Sequence, residues 1–365
     1  MECLEKPIGN RYTRNELEKL TVKGPDEAMR KKVLSNLDHV AKPLDGLGKF
    51  EAYIAQIGAI QGTAEIDISK KAVIIMCADN GIVAEGISQS EQDVTLAVVK
   101  NMANKQSSVG KMAESIGSDA IVVDIGINDK GKIPGVLDKK IRCGTRNFRN
   151  EPAMTEEEAV KAIFTGIETV LDCKEKGYKI LATGEMGIGN TTTSSAVTAA
   201  LLHCEVAEVT GRGAGLSDEK LLHKQKIIAE ALEKYKLIGA DALQILETVG
   251  GLDIAGLTGV CIGGALYHIP IVLDGVISMV AALLAEQIVP GTKDYLLPSH
   301  KGKEPAIERL AQKLNMEPVI DGNMALGEGT GAVMMFSLLD IALCVYQDRT
   351  TFSDIHIEQY ERFSQ

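Results

Sequence analysis

Apolar residues recur along this chain at two different spacings, and each spacing predicts a different element. "KKAVIIMCADNG" (70–81) is a short apolar run, rich in Val and Ile, that ends in Asp-Asn-Gly; it predicts a buried strand entering a loop. "DAIVVDIGI" (119–127) and "KILATGEMGIGN" (179–190) repeat the strand-then-glycine pattern. Between these runs the period lengthens. Val94, Val98 and Met102 fall four apart, and Thr155 with Glu158 makes a capping box for a helix reaching about Lys176. Residues 191–202, rich in Ser, Thr and Ala, predict the next helix, and Ser217 followed by Asp218 and Glu219 opens another.

Beyond these, 249–300 alternates apolar runs with glycines, and "IPIVLDGVIS" (269–278) and "DYLLPSH" (294–300) read as strands. Ile307, Leu310, Ala311 and Leu314 share one face of a helix over 303–314. After "LGEGTGA" (326–332) come Val333, Met334, Met335, Phe336, Leu338 and Leu339, which predict a buried helix. Residues 1–70 read as polar-amphipathic helices interrupted by "KPLDGLGKF" (42–50). Strands that alternate with helices imply an α/β fold with a mostly parallel sheet covered on both faces. In such a sheet the ligand lies beyond the carboxyl ends of the strands, where all these Gly-rich loops fall. The helical ends of the chain suggest a small helical domain from 1–70 and 341–365, set against an α/β domain over 71–340.

Composition narrows the function. A net charge of −11, with 4% aromatics and no Trp, argues against a nucleic-acid binder, which needs a basic footprint and often stacking platforms. The charged start of the chain has no apolar leader, and Ile254 to Tyr267 is too short and Gly-rich to span a bilayer, so no membrane partner is expected. Seven cysteines without a CxxC pair predict reduced thiols in a cytoplasm. Six histidines fall in no metal-binding spacing, so no metal and no cofactor are expected.

Chemistry is left to the loops. In "TGEMGIGNTTTSS" (183–195), backbone N–H groups and threonine hydroxyls suit a phosphate, although a tight turn with a Thr cap explains the same residues. The loop is neither a Walker A motif nor the dinucleotide fingerprint, whose third glycine would fall at Thr192; this disfavours a nucleotide-binding oxidoreductase. "TGRGAGLSDEKLLHK" (210–224) is a second glycine nest, with Lys224 either an anion ligand or a solvated lysine on an exposed helix face. Asp79, Glu85, Asp253 and Asp274 follow strands or glycines, each weak evidence alone. Glu328 is the acid inside "LGEGTGA": either a complement to a helix dipole or a proton acceptor aimed at a ligand.

Taken in order, "KPLDGLGKFE", "CADNGIVAEGIS", "GEMGIGNTTTSSA", "GRGAGL", "GGLDIAGLTG", "LDGVIS" and "LGEGTGA" resemble the nicotinate-nucleotide:dimethylbenzimidazole phosphoribosyltransferases of cobamide biosynthesis, over roughly residues 40 to 346. The resemblance implies a Rossmann-like sheet with a small helical domain, working as a dimer. It implies transfer of the 5-phosphoribosyl group of nicotinate mononucleotide to an aromatic base, giving nicotinate and an α-riboside 5′-phosphate. By the same resemblance Glu328 is the catalytic base and Glu185 a second active-site acid. Gly187, Gly189, Asn190, Thr191, Gly213, Gly215 and Lys224 hold the nucleotide and its phosphate; Ser88, Ser90, Glu91 and Leu326 face the acceptor base.

The chain departs from the family's usual pattern on the acceptor side. Asn80 stands where a His is usual, Ser90 for an aromatic, Glu91 for a Pro and Ala325 for an Arg, while Ser88 and Thr95 keep the pattern. Dimethylbenzimidazole, a purine, or a phenol such as p-cresol are therefore all acceptors to consider. Phenol-attaching relatives resemble two-chain enzymes, so the chain is expected as a homodimer or as a heterodimer with a paralogous subunit, including a non-catalytic one, and the apolar segment 254–285 is one candidate for the surface buried between subunits.

Overall fold

Every residue of β1 (Lys71–Ala78) is buried, and its side chains divide by alternation. Ala72, Ile74, Met76 and Ala78 enter one core, and Val73, Ile75 and Cys77 enter the other. A strand buried on both faces has to lie inside a sheet. The structure, a computed structural model, describes residues 12–362 and places β1 at the centre. With β2 (Asp119–Gly126), β3 (Leu137–Asp138), β4 (Ile180–Met186), β5 (Ile271–Leu273) and β6 (Leu296–Pro298) it forms one parallel sheet in the order β3-β2-β1-β4-β5-β6. The order reverses between β1 and β4, which opens a crevice at their carboxyl ends. The register Met76↔Glu185 sets the side chain of Glu185 at that crevice. A separate parallel pair, β7 (His300–Gly302) with β8 (Ile320–Met324), lies beside it.

Helices cover both faces. On one, Glu156–Glu175 packs on Leu252–Tyr267 so closely that a Cβ at Gly259 would stand 1.8 Å from the carbonyl oxygen of Ile163, and one at Gly166 2.0 Å from that of Gly256. These glycines therefore serve close helix packing. On the other face, Val333, Phe336 and Leu339 of the Thr330–Gln347 helix meet Val73 and Ile75. That helix is long and apolar enough to cross a bilayer, yet more than half of it is buried against the sheet.

Several expectations need correction. The strand read over 269–278 is only three residues long, because Gly275 starts the helix Val276–Ile288. Residues 294–300 hold a tight turn, then β6, then the first residue of β7. The helix read over 303–314 begins at Ala306, behind Pro305, which has no N–H to give. The apolar segment 254–285, a candidate subunit interface on apolarity alone, is buried inside the chain. Past Gln347 no helix forms among the described residues; the chain instead bridges Thr351 to Val40, and Arg362 pairs with Asp38 and Asp45. The helical readings of residues 1–11 and 363–365 lie outside the described residues.

Candidate active site

Gly327, Glu328 and Gly329 stand at φ 83°, 62° and 95°, three successive residues in the left-handed region. Glycine takes that conformation freely, whereas for a glutamate it costs about 1–2 kcal/mol. The turn lets the helix start at Thr330 and brings the backbone of Glu328 against β4: a Cβ at Gly184 would meet the Glu328 carbonyl oxygen at 2.5 Å. Asp274, just past β5, fastens the turn by accepting the N–H of Gly329 (3.2 Å), Gly331 (2.8 Å) and Ala332 (3.2 Å). The Glu328 carboxylate accepts the N–H of Val109 at 3.2 Å. Burial nevertheless raises its pKa above the ordinary glutamate range, against the pull of Val109.

Across the crevice, Glu185 is the penultimate residue of β4, and the loop to Gly189 leads into the helix Asn190–Leu202. The Asn190 amide donates to Glu185 and, at 3.2 Å, to Asp253, bridging two carboxylates held together by a neutral group. Desolvation first, then the charge of Asp253, pushes Glu185 up to about 8; desolvation also pushes Asp253 up to about 6. Asn80 is fully buried and touches the Gly187–Gly189 loop, where its amide donates to the Ile188 carbonyl at 3.4 Å, so it supports that loop without lining the pocket.

These elements enclose a pocket of about 330 Å³. It is lined by Glu185, Gly187, Gly189, Asn190, Thr191, Gly213, Ser88, Leu326 and Glu328 from the residues singled out in the sequence. Four others do not line it. Lys224 is buried behind Thr191, donating to Thr191 Oγ1 (3.0 Å) and the Gly211 carbonyl (3.2 Å), and burial pushes its pKa down to about 8. Gly215 instead gives its carbonyl to the Gln89 amide. Ser90 and Glu91 sit in the bend that leaves the pocket after Ser88, with the Ser90 N–H donated to Ser88 Oγ at 3.2 Å. Asp79 and Glu85 are structural, the first accepting the Asn128 N–H and the second pairing with Arg149.

Sequence reasoning missed His300, Lys303 and Glu304, which line the opposite wall. Glu304 accepts the N–H of Gly213 at 3.1 Å, and a Cβ at Gly331 would stand 2.0 Å from His300 Nδ1. The glycine at 331 was thus a readable sign of a close neighbour, though not of which one.

The pocket thus lies at the switch point of a parallel sheet and is lined by glycine loops and carboxylates. The family model described as a phosphoribosyltransferase matches residues 22–357. The nicotinate-nucleotide–dimethylbenzimidazole phosphoribosyltransferase of Clostridium perfringens is 43% identical over 337 residues, covering 92% of this chain and 93% of that protein. The enzyme of the same name from Acetivibrio thermocellus is 44% identical over 329 residues, covering 90% and 94%. The crystal structure of CobT from Thermus thermophilus superposes with a TM-score of 0.86 at 34% identity, over 91% of this chain and all of that one. The chain belongs to the nicotinate-nucleotide–dimethylbenzimidazole phosphoribosyltransferase family.

Proposed function

We propose that the protein transfers the 5-phosphoribosyl group of nicotinate mononucleotide to an aromatic lower-ligand base, releasing nicotinate and an α-riboside 5′-phosphate for cobamide synthesis. The observation that carries this reading is Glu328, held by a left-handed turn in the wall of a pocket that Glu185 and the Gly187–Thr191 loop close from the other side. The acceptor nitrogen attacks C1′ of the ribose, the bond to the pyridinium nitrogen breaks with its electron pair going to nicotinate, and Glu328 takes the acceptor's proton. Glu185 stabilises positive charge developing on the ribose only once it is ionised. With its pKa near 8, it starts mostly protonated, and the cationic ring of the donor favours loss of that proton.

Thr191 and Gly213 face the phosphate, with Lys224 acting from behind Thr191. Ser88 and Leu326 border the acceptor side. Because Ser90 and Glu91 lie off the pocket, dimethylbenzimidazole is favoured over a phenol as acceptor. Retention of Glu328 and Glu185 in one pocket favours an active chain over a non-catalytic subunit.

A dimer is part of the proposal, either of identical chains or with a paralogous subunit. Its surface is the exposed apolar stripe Met334, Ile341 and Val345 of the helix that begins just past Glu328, next to exposed Leu326 at the pocket. A small domain built from 1–70 and 341–365, supported by the Val40–Thr351 bridge, and a cytoplasmic site of action complete the reading.

The test is nicotinate release by the purified chain supplied with nicotinate mononucleotide and, in turn, dimethylbenzimidazole, adenine and p-cresol, with the riboside product identified by mass. Acceptor-dependent release with the highest kcat/KM for dimethylbenzimidazole is expected. No release with any acceptor would reject the function, and a preference for p-cresol would reject the acceptor assignment.

A further inference from the structure

Four carboxylates line the pocket, those of Glu185, Asp274, Glu304 and Glu328, whereas Lys303 is the single lysine or arginine among the described lining residues. A donor carrying a phosphate and a carboxylate is anionic, and a wall this poor in cations has to offer other groups that donate to its oxygens. His300 has the geometry for that. Its side chain is 5% exposed, yet it lines the pocket. Nδ1 is held at the back, 3.0 Å from Ser299 Oγ and 3.8 Å from Asp274 Oδ1. Nε2 lies on the side of Gly275 and Gly302, where a Cβ would stand 3.4 Å and 3.8 Å from it. Both glycines line the pocket, so neither has a side chain to cover that nitrogen. The same wall meets the glycine nest, since Glu304, two residues past Gly302, holds the Gly213 N–H.

We infer that His300 binds the phosphate of the donor, its Nε2 donating a hydrogen bond to a phosphate oxygen while Ser299 and Asp274 fix the ring from behind. Asp274 also holds the three N–H groups that shape the turn of Glu328, so one carboxylate joins the phosphate contact to the placement of the base. The inference rests on the proposed donor, nicotinate mononucleotide, and its test separates the two.

Nicotinate mononucleotide and nicotinate riboside, the same molecule without the phosphate, are titrated into the wild type, His300→Gln and His300→Asn, and kcat and KM are measured for the nucleotide. Nucleotide affinity should fall at least tenfold in the variants, riboside affinity should change less than twofold, and KM should rise far more than kcat falls. Equal loss of both ligands, loss of kcat alone, or no loss would overturn the inference. A wild type that binds the riboside as well as the nucleotide would instead reject the phosphate site of the proposed donor. If neither variant folds, the ¹⁵N signals of the wild-type histidines serve: one buried ring should shift with inorganic phosphate or the nucleotide and not with the riboside. Absence of that shift would also overturn the inference.

Discussion

At the scale of single residues, the site is governed by carboxylates kept out of water. Glu185 has its pKa raised to about 8, chiefly by desolvation, so the folded protein binds a proton there that the unfolded chain releases near 4.5. Below about pH 4.5 the group is protonated in both states and costs nothing. As pH rises toward 8 the buried carboxyl increasingly destabilises the fold. Glu185→Gln removes the ionisation while keeping an acceptor for the Asn190 amide. The variant should therefore be more stable than the wild type at pH 8, on the order of 3 kcal/mol allowing for pocket water, with the difference shrinking toward zero near pH 4.5. Thermal melts across that range check it; a constant difference at every pH would contradict the assigned burial. The acids themselves were legible in sequence, Glu185 and Glu328 by resemblance. Their pairing was not, because Asn190, Asp253 and Asp274 reach them only through the folded crevice.

At the scale of elements, glycine carries two meanings that a linear reading confuses. Strands β1, β2 and β4 were legible, since a continuous Val/Ile run ending in a turn has few other solutions. The helix Leu252–Tyr267 was not, because Gly256, Gly259, Gly263 and Gly264 looked like loop punctuation. Gly259 and Gly263 let the helix touch Glu156–Glu175 closely, while Gly256 leaves room for Met76 and Ile125 of the sheet and Gly264 for Ile271. Gly259→Ala would favour the isolated helix by about 1 kcal/mol on propensity alone. In the protein it would set a methyl 1.8 Å from the Ile163 carbonyl oxygen and force the pair apart. Net destabilisation of about 1–3 kcal/mol is expected in urea unfolding. A neutral or stabilising result would show that the contact yields freely. The pair β7 and β8 was missed for another reason: at three and five residues, with exposed polar positions, it carries no apolar period to read.

At the scale of the whole molecule, the chain puts its proposed base at the start of a helix whose far side stays apolar and uncovered. Met334, Ile341 and Val345 are 42%, 67% and 37% exposed, which a second subunit would bury. Ile341→Lys should convert a sedimenting dimer to a monomer, and a wild type that is monomeric and fully active at nanomolar concentration would contradict the proposed assembly. The resemblance pointed to a dimer, and apolar composition offered 254–285 as one candidate surface; that segment is buried within the chain, because apolar composition alone does not separate a core helix from an interface helix. The reaction itself is probed by Glu328→Gln, assayed by nicotinate release with dimethylbenzimidazole. The side chain keeps its shape and can still accept the Val109 N–H, but it cannot take the acceptor's proton. If Glu328 is the base, kcat should fall by about 10²–10⁴-fold with KM for nicotinate mononucleotide within a few fold of wild type. Turnover equal to wild type would contradict it and leave Glu328 as a complement to the helix dipole.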